Sequence, residues 1–144
     1  MKKSLIHKTT NLYFVFVLSL SVLSAADSFG QNQKISDMTN SKFALQNLEM
    51  GIQSTNEGVR ESAIYFAGQY RFIETEEALI KQLKVESEAH IKVLISLALF
   101  RINSEKGMNE LKELASAEKN PKVRRMNYAI YKEYLVNRSN KTLQ

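Results

Sequence analysis

The chain of 144 residues sets an expectation of one domain. It contains no cysteine, which excludes a disulfide frame and a thiolate metal site, and its only histidines are His7 and His90. The formal charge of +5 is mild and unevenly spread. Beyond Glu118 the chain carries Lys119, Lys122, Arg124, Arg125, Lys132, Arg138 and Lys141 against the single acid Glu133.

Residues 1–8 bring three lysines and no acid, residues 12–23 (LYFVFVLSLSVL) form an uncharged apolar run, and Ser24, Ala25 and Ala26 follow. That order is the order of a secretory signal peptide, with cleavage expected after Ala26 or after Gly30. The run of twelve is short of the roughly 20 residues a spanning helix needs, so no membrane span is expected once residues 1–30 are removed. No cysteine follows to take a lipid. The expected location is the periplasm or the cell exterior.

Residues 31–40 (QNQKISDMTN) are polar without a period and read as a flexible lead. From residue 41 the apolar positions follow helical spacing: Phe43, Leu45, Leu48 and Ile52 in one helix, then Val59, Ala63, Phe66 and Ala67 in the next. A third helix over residues 74–85 turns Ala78, Leu79 and Leu83 inward. It opens on Glu74, Glu76 and Glu77, which suit the positive end of the helix dipole and read as a solvated first turn. Residues 90–102 (HIKVLISLALFRI) are apolar around the whole circumference. A helix of that kind is buried and must be covered on both sides. Ser87 is its expected N-cap. A fifth helix over residues 104–117 places Met108, Leu111, Leu114 and Ala115 inward, and Asn120 with Pro121 supplies a cap and a first residue for the sixth. No window alternates long enough for a strand, so the expected class is all-α, with residues 137–144 as a polar tail.

Val59, Ile91 and Val123 head three segments that align at a spacing of 32 residues both times, and each is followed by a base: Arg60, Lys92 and Arg124. Leu79 falls on Leu111 and Leu83 on Ala115. Asn120, Pro121, Lys122, Val123 and Arg124, and less fully Val59, Arg60 and Ala63, resemble the HEAT-like repeat family in its short form related to phycobilisome-lyase repeats. The resemblance covers residues 41–136. It implies a short right-handed α-solenoid of three helical hairpins, arginines at 60 and 124 that brace neighbouring repeats, and a scaffold for binding other macromolecules. The chain departs from the family pattern in lacking the turn aspartate, in carrying Ile91 and Lys92 in the central copy, and in placing Asn127 where alanine is preferred.

His90 has no convergent set of ligands around it in sequence, and no nucleophile, base and acid stand in a recognisable arrangement. No catalytic residue, metal or cofactor is therefore expected, and the chain reads as non-enzymic. In the last helix, Val123, Met126, Asn127 and Ile130 are expected to face the preceding repeat. That leaves Arg125, Tyr128, Tyr131, Lys132 and Tyr134 at the terminal edge, either as a capping helix or as a partner surface, since tyrosine and arginine are enriched where interfaces bind tightly. The expected function is a protein–protein interaction scaffold whose partner has an acidic surface. Nucleic acid is not expected at this modest charge. An accessory or lyase-like maturation factor and a self-associating structural protein are the alternatives.

Overall fold

The computed structural model describes residues 32–142. Six α-helices lie among them: α1 (Ala44–Ile52), α2 (Glu57–Gln69), α3 (Glu76–Val85), α4 (Ala89–Arg101), α5 (Glu105–Ala117) and α6 (Pro121–Thr142). Single 3-10 turns occupy Ile35–Asp37 and Ile73–Thr75, and the described residues hold no β-strand. The all-α class is as expected.

The starts and stops of the helices follow from local chemistry. Asn56 accepts from the Val59 N–H at 3.1 Å, Ser104 from Gly107 at 2.7 Å, and Asn120 from Lys122 at 3.0 Å, which satisfies amides that the first turn leaves unpaired. Ser87 does not cap α4. Its N-cap is Glu88, whose side chain makes no cap bond, and Glu86 Oε1 accepts the N–H groups of Ser87 at 2.9 Å and Glu88 at 3.0 Å just before the helix. At their far ends α2 and α4 stop alike: Arg71 and Asn103 turn to φ 55° and 54°, while the next N–H, of Phe72 or Ser104, reaches back to the carbonyl of Ala67 or Leu99 at 3.0 Å. Leu135 holds the corresponding place in α6, and the helix runs on to Thr142 through the stretch expected to be a polar tail.

α2, α4 and α6 pack side by side, with α4 between the other two. The outer helices α1, α3 and α5 pack on these inner ones, α1 on α2, α3 on α4, and α5 on both α6 and α4. Ile91, Ile95, Ala98 and Leu99 of α4 are buried, while Leu97 is 37% exposed, so the burial expected around the whole circumference is not complete. Each of Ile91, Ile95 and Leu99 contributes about 1.5–3 kcal/mol when fully withdrawn from water. Gly68 sets the closest approach of α2 to α4, because a Cβ placed there would lie 2.8 Å from Ala98 Cα.

Three expectations are corrected at the leading end. The lead, described from Asn32 on, is held down rather than loose: Asn32 Nδ2 donates to the Ile102 carbonyl at 3.1 Å, the Gln33 N–H to Arg71 at 3.2 Å, and the Ile35 N–H to Glu74 Oε2 at 2.8 Å. Glu74 thus binds the lead, while Glu76 accepts from Ser104 Oγ at 2.5 Å and Glu77 pairs with Lys106, so this acidic turn does more than face water. Finally, Phe43, Val59 and Phe66 are exposed, and the inward face of α2 is formed by Arg60, Ile64, Ala67 and Gly68. Ile91 and Val123, the counterparts of Val59, are buried.

Candidate functional site

The junctions between hairpins set a cation against a glutamate at the same places. Arg60, in the first turn of α2, donates from Nε to Glu86 Oε2 at 2.7 Å and from Nη1 to the Ser54 carbonyl at 2.7 Å. Lys92, in the first turn of α4, donates to Glu118 Oε2 at 2.8 Å. Each glutamate follows the last residue of an outer helix and spends its other oxygen on the N–H two residues on, that of Glu88 at 3.0 Å or Asn120 at 2.8 Å. Ser54 makes the same turn with its hydroxyl, accepting from the Asn56 N–H at 3.2 Å, but brings no charge.

Burial works to raise the Glu86 carboxyl, and the Glu88 N–H, the Gln82 amide and the Arg60 guanidinium together outweigh it, holding the group below its ordinary value. Glu118 is also held low, chiefly by the Lys92 ammonium and then by the Asn120 N–H. Neither glutamate stands out by residue type, since isolated acids on helical proteins are usually solvated. Their own spacing, equal to that of Arg60 and Lys92, was the available signal.

α6 repeats the cation without the pair. Arg124 Nη1 donates to the Glu118 carbonyl at 3.2 Å, the counterpart of Arg60 on Ser54, and no carboxylate lies within ion-pair distance of it among the described residues. Tyr128 takes the register position of Ile64 and Ser96. Those two are 0% exposed, whereas Tyr128 is 65% exposed. Tyr131 stands where Ala67 and Leu99 are buried, and Lys112 of α5 where Ile80 of α3 is buried. Lys112, Ala115, Ser116, Arg124, Arg125, Tyr128 and Tyr131 line an open groove of about 480 Å³ between α5 and α6.

Of the residues expected at the edge, Arg125, Tyr128 and Tyr131 are therefore brought together. Lys132 is exposed but does not line the groove. Tyr134 is buried at 7% exposure, its hydroxyl accepting from Arg138 Nη1 at 3.4 Å, and it belongs to the core rather than to a binding surface. It continues the inward stripe of Asn127 and Ile130, one turn further on, which is why it turns away from the edge. Met126, expected inward, is exposed. Among the repeat positions, Ile91, Val123 and Arg60 are buried, Lys92 is half-buried, and Val59 and Arg124 are exposed. His90 lies exposed on the first turn of α4, with Nε2 3.5 Å from Glu57. No helix among the described residues is long and apolar enough to cross a membrane.

Comparison of the chain with family models, curated proteins and solved structures finds no match. The fold defines an all-α protein of packed helix pairs.

Proposed function

We propose that the chain is a short right-handed α-solenoid of three HEAT-like hairpins that acts without catalysis, in the periplasm or outside the cell, by holding another protein against its terminal edge. The observation that carries this reading is the exposure of Tyr128 at a position that is fully buried at both earlier junctions. Here tyrosine replaces Ser96, and the groove beside it combines two tyrosines with two arginines, the residue types that dominate tight interfaces. The location rests on the leader pattern of residues 1–30, which lies outside the described residues.

A photoreactive phenylalanine installed at Tyr128 in intact cells tests the reading, with the same group at Val85, also exposed, as the comparison. One discrete cross-linked protein from position 128 and none from position 85 is expected. Equal labelling from both positions, or none from 128, contradicts it.

A further inference from the structure

At both internal junctions a carboxylate at the end of an outer helix meets the first-turn cation of the preceding inner helix: Glu86 on Arg60 and Glu118 on Lys92. The incoming inner helix then lies along the position that Tyr128 occupies in α6. Ser96 Oγ, at that position in α4, is 3.0 Å from Asn127 Oδ1. Arg124 presents the third cation, already oriented by the Glu118 carbonyl, with its neighbour Arg125 and, from α5, Lys112 lining the same groove and no acid in the lining.

Resting on the reading that this edge binds a protein, we infer that the partner presents a helical hairpin whose first helix ends in glutamate or aspartate. That carboxylate takes Arg124 as Glu86 takes Arg60, and the partner's second helix runs along Tyr128 and Tyr131. The hairpin continues the internal register across the edge. Charge complementarity selects an acidic helix end, because three cations line the groove and no acid does. A second copy of this chain does not fit the requirement. Its leading hairpin offers Ser54 where the carboxylate is needed, and its own lead lies against the leading face, Ile35 and Met38 lining one groove with Phe66 and Phe72.

The test uses the full chain with the photoreactive group at position 128 and adds substitutions at Arg124. Arg124→Glu should cut the cross-linked product by about tenfold or more, Arg124→Gln by less, and Arg124→Lys by no more than about threefold. Lys122→Glu, an exposed cation outside the groove, should leave it unchanged. Helical circular dichroism and melting temperature, measured on each variant, verify folding, and the neutral Arg124→Gln carries the comparison if the reversal unfolds the chain. Mass spectrometry should place the cross-link on a partner helix preceded by an acid at the interval that separates Glu118 from Asn127. A product undiminished by Arg124→Glu and Arg124→Gln, a partner segment without that acid, or a cross-link to a second copy would overturn the inference while leaving a binding edge. Absence of any product in the parent overturns both.

Discussion

Arg60 Nε lies 2.7 Å from Glu86 Oε2 with both side chains almost out of water, and this pair joins the first hairpin to the second. Removing one member of such a pair leaves the other charged and buried, at a cost of about 3–5 kcal/mol. Arg60→Met should therefore lower the unfolding free energy by about that amount in urea titration. Arg124→Met, the same change at the exposed counterpart, should stay within about 0.5 kcal/mol of the parent. Equal losses at the two sites would show that the junction and the edge are not distinguished by what covers them.

Acid should act through the same glutamates. Glu86 and Glu118 are both held below the usual value of about 4.3. A carboxyl lowered in the folded state contributes its stability in full above the unfolded value and loses it as pH falls through the lower, folded one. Stability should thus be flat near neutrality and decline on acidification below that usual value. Glu86→Gln should lower stability at neutral pH and make the acid decline shallower. An acid slope unchanged by Glu86→Gln, measured by denaturant titration at stepped pH, would remove this carboxylate from the explanation.

Gly68 should resist the change that ordinarily strengthens a helix. Alanine in a helix interior is about 1 kcal/mol better than glycine, yet a Cβ at 68 meets Ala98 Cα at 2.8 Å and Cβ at 2.9 Å. Parting α2 from α4 costs about 1–3 kcal/mol, so Gly68→Ala should be destabilising on balance. Gly58→Ala, whose Cβ would meet only Asn56 Oδ1 at 3.6 Å, should be neutral or stabilising. Thermal melts of the two variants decide it.

The proposed export predicts a mature chain that begins at Asp27 or Gln31. Amino-terminal sequencing of protein recovered from the envelope or medium checks this. Recovery of intact Met1 from the envelope would replace the leader by an anchor.

The six helices were legible because they are written in apolar spacing and in a base that returns with it, as in Arg60, Lys92 and Arg124, but the inward face of α2 was not, since Val59 and Phe66 turn to solvent. The docking of the lead was not legible. Its contacts run from the Asn32 side chain and the Gln33 N–H to the carbonyls of Ile102 and Arg71, where helices end, and main-chain acceptors leave no trace in residue type. Glu86 was overlooked because an acid paired across hairpins looks, in sequence, like one facing water. Tyr134 was misplaced because its phenol suggested an edge, whereas its spacing from Asn127 and Ile130 already put it on the core face. The groove beside Tyr128 was half legible: Arg125, Tyr128 and Tyr131 come from α6 itself, while Lys112, Ala115 and Ser116 come from α5 and depend on tertiary packing.

The terminal edge as a binding surface is tested most directly by the kinetics of the cross-linked partner, purified and passed over the immobilised protein. Tyr128→Ala should speed dissociation by about tenfold or more and change association by less than about threefold, because an aromatic anchor acts on the lifetime of a complex. Arg125→Glu should instead slow association at low salt and flatten its salt dependence, since a rim charge steers encounter. Both variants should keep the parent's helical circular dichroism. Dissociation unaltered by Tyr128→Ala, together with a salt response unaltered by Arg125→Glu, would contradict a binding role for this edge and leave α6 as a solvated cap.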